Sequence, residues 1–474
     1  MTEKKDILIA GEWRAGSDEI IVKSPHSNRE LATVAAAGPD DLERAIAAAE
    51  TAAEEMRRLP RFIIADGLRK LTAELESRKR EFVDAIVAES AKPIRYARGE
   101  VERAIATFTW AAGEAERFAG EVVPVDTQPS GRGKTAYTLR VPRGVIYGIT
   151  PFNFPLNLVA HKVAPALAGG NAIIIKPSDR TPLTSLLLGD VFMKSGLPAG
   201  ALQVVPMDVK HIDAVYADER VKMISFTGSA KVGWEIKSRA NKKFVTLELG
   251  GNAAVIVDES ADIDSSVRKN LTGAFAYSGQ VCISVQRLFI HETRLDEWTE
   301  RFVDGARGLK KGDPADESTE LGVMIDEAAA KRAESWINEA ADGGAEILCG
   351  GKRVGQMLDA TVLTKTTHEM KVVAEEVFAP VAVVEPFSRI EEAIELANHG
   401  KYGLQAGVFT RDLKNAQLAA ANLNYGGVII NEVPTFRVDN MPYGGVKDSG
   451  FGREGVRYAM EEMTEPRLIV MSDE

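Results

Sequence analysis

Cysteine is nearly missing from this chain: Cys282 and Cys349 are the two thiols in 474 residues. Two thiols cannot build a disulfide framework or a four-thiolate metal site, and a reducing cytoplasmic compartment is the expectation. No run of about 18 apolar residues occurs, so no membrane-spanning helix is expected. The opening MTEKKDILIAGEWRAG holds charges but no apolar stretch of a secretory signal. Basic charge is not in excess either. A net charge of -11 argues against nucleic acid or an anionic membrane as the main partner. The six histidines are scattered, and His291-Glu292 has no second histidine four residues on, so no zinc motif and no metal are expected.

What is present is the composition of a globular protein, 45% hydrophobic and 27% charged, long enough for two or three domains. A strand pair is expected around ILIAGEW. Helices are expected over PDDLERAIAAAETAAEEMRRL and VERAIATFTWAAGEAERF; in the latter, Ala104, Phe108, Ala111, Ala115 and Phe118 share one face. From 144 to 250 the strand-like runs GVIYGIT, NAIIIKP, LQVVP and KMISFTG each lead into a helix, starting near Pro155, Thr181, Val209 and Ser229. That alternation predicts βαβ units and a doubly wound parallel sheet, which binds ligands at the carboxyl ends of its strands. After LELGGN it restarts with AAVIVD, VQRLFIH, PVAVVEPF, LQAGVFT and GGVIIN, a second α/β unit with the changeover near Gly250-Gly251. The stretch VVPVDTQPSGRGKTAYTLRVP reads as an extended hairpin leaving the body.

Several elements could carry chemistry. ISFTGSAKVGWEI places Gly228 and Ser229 at a helix N-terminus, where an anion is welcome. It is neither a P-loop, because Trp234-Glu235 stand where Lys-Ser/Thr is required, nor a GxGxxG turn. In IIIKPSDRTP a buried strand ends at Lys176, with Ser178 and Asp179 beyond it. A carboxylate there can accept ribose hydroxyls or, equally, cap the next helix. Asn153 in TPFNFPLN is an amide able to donate to an oxyanion, or a turn residue. Glu248 in VTLELGGN is a strand-end carboxylate suited to general-base work if buried, or a solvated one. Cys282 in GQVCISVQR is a nucleophile or apolar filler. Together these propose a thiolate, an oxyanion donor, a base and a nucleotide crevice, the parts needed to oxidise an aldehyde through a thioester.

In order, PFNFP, KPSDRTP, FTGSAKVG, LELGGN, GQVC, EEVFAPV and PYGGVKDSGFGREG span most of the chain. Together they resemble the aldehyde dehydrogenase superfamily. The resemblance implies Cys282 as nucleophile, Glu248 as general base and Asn153 as oxyanion donor. It implies a Rossmann-like nucleotide-binding domain (1–123 and 143–249), an α/β catalytic domain (250–455), and an oligomerisation arm (124–142 with 456–474) that makes a homo-oligomer, dimer or tetramer. Cofactor contacts implied are Thr150, Pro151 and Phe152; Lys176, Ser178 and Asp179 toward the adenosine ribose; Gly228 and Ser229 toward the pyrophosphate; Leu249; and Glu376 with Phe378 toward the nicotinamide. Asp179 favours NAD, while the neighbouring Arg180 leaves NADP open. Keeping Glu248 favours release of a free acid over a coenzyme A ester.

Arg103, on a stripe with Thr107 and Trp110, and Arg437 resemble substrate-gripping arginines of branches acting on lactaldehyde, semialdehydes or phosphorylated aldehydes; Phe154 and Val281 complete the implied pocket. Val281 stands where phosphate-reading branches often place arginine, so the expected substrate is a hydroxylated or singly charged small aldehyde. A non-phosphorylating glyceraldehyde-3-phosphate dehydrogenase and a catalytically silent binding or structural protein are the alternatives. A cysteine hydrolase would need a histidine base, for which no motif is present.

Overall fold

The apolar runs of the first half are buried on both faces, which suits parallel strands covered by helices. In the computed structural model, which describes residues 3–473, five of them form the parallel core of an eight-stranded sheet. Across the sheet they run Leu202–Val204, Ala172–Lys176, Val145–Ile149, Val221–Thr227 and Phe244–Glu248. In chain order this is 3-2-1-4-5, and the order reverses between Val145–Ile149 and Val221–Thr227. The ligand crevice of such a sheet opens beyond the carboxyl ends at that point.

One edge is closed by the antiparallel hairpin Ile7–Ile9 with Glu12–Arg14, the strand pair expected from ILIAGEW. The other edge is Gly450–Phe451, antiparallel to Phe244–Glu248.

Helices follow three of these strands as Asn157–Ala168, Leu183–Phe192 and Ala230–Arg239. The helix expected near Val209 is only a tight turn, Val209–His211, continued by the short helix Ile212–Ala217. The long helix Ile94–Arg117 buries Ala104, Phe108, Ala111 and Ala115, with Phe118 just past its end, against this sheet's core.

A second sheet of seven strands has the order Glu346–Cys349, Thr361–Thr364, Val381–Phe387, Val285–His291, Ala253–Val257, Gln405–Phe409 and Gly427–Ile430. Only the edge strand Glu346–Cys349 is antiparallel. The chain passes from one sheet to the other between Glu248 and Ala253. The third layer is the arm, where Thr464–Ser472 pairs with Lys134–Pro142 along its whole length and Val122–Val123 lies on the far side.

The division at 455/456 drawn from the sequence differs from this arrangement. Gly450–Phe451 belongs to the first sheet, and Val456, Met460 and Met463 pack into the first core, so helix Val456–Glu462 is body and not arm. Apolar side chains at spacings of three and four draw that helix inward, and the arm proper starts at Thr464.

Candidate active site

Cys282 is placed by an unusual turn. Helix Ile263–Phe275 ends, and Tyr277, Ser278 and Gly279 follow with φ of 49°, 54° and 67°. Left-handed backbone at non-glycine residues is unfavourable by roughly 1–2 kcal/mol each, so tertiary bonds must hold it. Tyr277 Oη donates to Ser90 O (3.1 Å) and Ser278 Oγ to Gly322 O (2.7 Å). Gly279 lies so close to the Ala379 carbonyl that no Cβ fits. The turn delivers Gln280, whose carbonyl accepts from Asn153 Nδ2 at 2.9 Å, and two residues on the half-buried Cys282. Asn153 Oδ1 is buried without a partner. Asn153 and Cys282, 129 positions apart, are thus neighbours.

Glu248 ends its strand beside them. Gly251, three residues on, presses against the Cys282 carbonyl, leaving no room for a side chain. Both carboxylate oxygens of Glu248 are buried without any hydrogen-bond partner. Burial, reinforced by the nearby Glu454 carboxylate, raises its pKa well above the usual carboxylate range. Burial likewise pushes the Cys282 thiol up to about 11, opposed by a hydrogen bond with Tyr443. Cys282 Sγ and Tyr443 Oη are 3.0 Å apart.

The thiol opens onto a cleft of about 750 Å³, well within the range of small-molecule sites. Arg103, Trp110, Phe154, Val281, Arg437 and Tyr443 are on its wall, so every substrate residue expected from the sequence is there. Thr107 is not; it is buried behind, its hydroxyl donating to the Arg103 carbonyl. Neither arginine is free. Arg103 pairs with Asp439 (2.8 Å), and the buried Arg437 donates to Glu454 (3.1 Å) and stacks on the Tyr443 ring (3.7 Å to its centre).

His161 donates to Asp439 (2.8 Å), and Lys162 reaches Glu454 (3.3 Å) and Ser225 (3.0 Å). His161, Lys162, Asp439, Tyr443 and Glu454 had no assigned role in the sequence. One signal was available: after Asn157, His161-Lys162 are the only polar pair in an apolar helix whose twelve residues are all buried.

The nucleotide side lies at the strand ends. Lys176 Nζ is 2.6 Å from Asp179, whose carboxylate remains about half exposed. Ser178 Oγ accepts from the Arg180 backbone N–H, and the Arg180 side chain turns away to Asp326 (2.9 Å). Thr150 donates its N–H to the Lys176 carbonyl, with Pro151 and Phe152 next in the turn. Gly228 N–H donates to the Glu248 carbonyl, and Ser229 precedes helix Ala230–Arg239, on whose Gly233 Leu249 packs.

Glu376 accepts from Gly251 N–H (3.0 Å), and burial raises it to about 7. Phe378 meets Phe152 edge to face. Thr227 Oγ1, at the end of the central strand, is buried without a partner. The spacing GxGxxG does occur, at Gly450, Gly452 and Gly455, but it turns an antiparallel edge strand into helix Val456–Glu462 and not a parallel strand into its crossover.

A 3-2-1-4-5 sheet opening beside a thiol-bearing cleft is the layout of a nicotinamide-dependent oxidoreductase. The residues present fit such a cofactor: an orphaned hydroxyl at Thr227, a helix N-terminus at Ser229 and a cationic Lys176 line the strand ends. The profile of the aldehyde dehydrogenase family matches residues 13–469, and the chain belongs to that family. A 3-sulfolactaldehyde dehydrogenase from Priestia aryabhattai is 41% identical over 468 residues, 98% of each chain. The structure of aldehyde dehydrogenase 21 from Physcomitrella patens in complex with the reaction product succinate superposes with a TM-score of 0.98. It shares 42% identity and covers 100% of this chain and 99% of that one. Glyceraldehyde-3-phosphate dehydrogenase from Methanocaldococcus jannaschii, complexed with NADP, gives a TM-score of 0.92 at 38% identity, over 96% of this chain and 100% of that one. The protein is an NAD(P)-dependent aldehyde dehydrogenase.

Proposed function

We propose that the chain oxidises a small hydroxylated or singly charged aldehyde to its free carboxylic acid through a covalent bond to Cys282. The observation that carries this is Glu248: a buried carboxylate with no partner on either oxygen, three residues before the Gly251 that packs on the Cys282 carbonyl. Such a group is unfavourable for stability, which is the mark of a functional site.

Cys282 Sγ adds to the carbonyl carbon, and the N–H of Asn153 not used on Gln280 faces the oxygen on which charge develops. When bound, nicotinamide supplies the acceptor for the hydride leaving that carbon. Glu248 then takes a proton from water, whose oxygen attacks the thioester carbon, and the sulfur departs as thiolate. Lys176, Ser178 and Asp179 would hold the adenosine ribose, Gly228 and Ser229 the pyrophosphate, Thr150, Pro151, Phe152 and Leu249 the inner stretch, and Glu376 and Phe378 the nicotinamide end. NAD is the preferred form, because the half-exposed Asp179 accepts ribose hydroxyls and repels a 2′-phosphate, while Arg180 is engaged by Asp326.

Arginines on the cleft wall suit one anionic group on the substrate. Lys92 is matched by Glu100, Arg103 by Asp439 and Arg95 by Glu320. Around Arg437 the cations Arg437 and Lys162 face the carboxylates of Glu454 and Glu248, and Arg437 is the one of the four that lines the cleft. Sulfolactaldehyde, like the semialdehyde that yields succinate, carries one acid group remote from the aldehyde. Glyceraldehyde 3-phosphate carries nearly two charges, and Val281 adds no cation for it.

The test is twofold. With saturating nucleotide, Glu248→Gln is expected to give a burst of about one equivalent of reduced nicotinamide and then a steady state slowed by 10²-fold or more; an equal loss of burst and steady state would refute the base role. For substrate, kcat/KM across sulfolactaldehyde, succinic semialdehyde, lactaldehyde, glyceraldehyde 3-phosphate and propionaldehyde, each with NAD and NADP, should peak on the first three with NAD. A maximum on the phosphate ester would select the alternative reading.

A further inference from the structure

We propose that Tyr443 is a further catalytic residue, whose phenol O–H donates to the Cys282 sulfur and stabilises its thiolate. This rests on the reading of Cys282 as nucleophile. Tyr443 Oη lies 3.0 Å from Cys282 Sγ, and this is its one hydrogen bond among the described residues. A surface tyrosine could make such a contact by chance, but this one is 3% exposed and fixed on every side. Its backbone N–H donates to the Glu454 carbonyl (3.0 Å) and its carbonyl accepts from the Glu454 N–H (2.7 Å), an isolated antiparallel bridge. Its ring packs with Ile283 and Leu404, and the Arg437 guanidinium covers one face at 3.7 Å. That guanidinium is itself tethered to Glu454, so ring and cation form one rigid unit aimed at the sulfur. A cation over the ring draws electron density from the phenol and strengthens its donation.

The direction of the bond follows from which partner keeps its proton. Burial raises the Tyr443 hydroxyl well above its ordinary value, and the neighbouring thiol raises it further. The phenol therefore stays protonated where the thiol ionises, and O–H to S⁻ is the arrangement that forms. The thiol proton leaves to water in the cleft, and no other bond changes. Besides Tyr443, the groups facing Cys282 are Glu376 and Glu248, which disfavour the thiolate, and Arg437, which favours it. Tyr443 is thus the direct hydrogen-bond donor to a thiol that burial holds up near 11 even with that bond in place. Removing the hydroxyl raises the thiol pKa, so at a fixed pH below it less thiolate is present.

The experiment follows iodoacetamide alkylation of Cys282 against pH in the full-length protein, with the labelled site read by peptide mass spectrometry. It needs no aldehyde turnover. Tyr443→Phe is expected to move the midpoint upward by about one unit, a roughly tenfold slower alkylation at pH 8. Incorporating 3-fluorotyrosine at 443, a more acidic phenol of nearly the same shape, is expected to move it downward. Superimposable profiles for all three proteins would overturn the proposal. So would an upward shift with Phe that fluorination does not reverse, since packing alone produces that. If Cys282→Ser retained turnover, the reading of Cys282 would fail instead, whatever the alkylation profiles show.

Discussion

Asp439 accepts from Arg103 and His161 while only 4% exposed, and its neighbours hold it ionised. Although burial pushes its carboxyl up, His161 and Arg103 bring it well below the ordinary aspartate range. A depressed pKa means stability that is complete above the unfolded value of about 3.9 and is lost as pH falls through it toward the folded one. Asp439→Asn should therefore lower the urea midpoint at pH 7, by the equivalent of about 2 kcal/mol given the partial exposure of Arg103. The difference from wild type should shrink as pH drops below about 4.

Glu248 runs the other way. Its raised pKa leaves it protonated, and so unable to accept a proton from water, over a wider range than an ordinary glutamate. The acid limb of the thioester hydrolysis rate should fall above the usual carboxylate range near 4.3, and pre-steady-state rates against pH would show it. Cys349, 8% exposed at the edge strand Glu346–Cys349, touches none of this. Cys349→Ala should leave kcat within about twofold of wild type, with a stability loss near 1 kcal/mol for the vacated volume.

At the scale of elements, the central strands of both sheets were legible because apolar runs bounded by glycine and proline have few other uses, whereas Glu346–Cys349 and Thr361–Thr364 at one edge of the second sheet were not. The turn at 276–279 was not. Nothing in the letters AYSG announces two left-handed non-glycine residues, since Ser90 and Gly322, which hold them, are distant in sequence. Short elements were misjudged too: the helix expected near Val209 is only a turn and a short helix, and Gly450–Phe451 carries too few residues for a period. The turn's partner on the other side is Gly251, packed on the Cys282 carbonyl. Gly251→Ala must displace that backbone, so kcat should fall at least tenfold while nucleotide affinity changes little. Stopped-flow hydride transfer and fluorescence titration separate the two.

At the scale of the whole molecule, strand Thr464–Ser472 lies at the open edge of the arm sheet, and Leu468, Val470 and Met471 on it are about half exposed. An open edge bearing apolar side chains is a surface for another chain, and we propose a second copy of this one. Leu468→Glu should shift the mass measured by light scattering toward the monomer, with the far-ultraviolet spectrum unchanged.

The order of the seven motifs determined the family and the class of fold, and it singled out a thiol, a carboxylate and an amide as the candidates for the site. Those depend on local runs and on residue types that few chemistries share. The tertiary structure decided which charges remain unopposed. Arg103 and Arg437 resemble substrate-gripping arginines in the sequence, yet Asp439 engages one from 336 positions away and Glu454 the other from 17. The same long-range packing placed Tyr443 on the sulfur and stripped Glu248 of partners. Burial and proximity, which set the pKa of every group in the site, are properties of the folded chain and not of its letters.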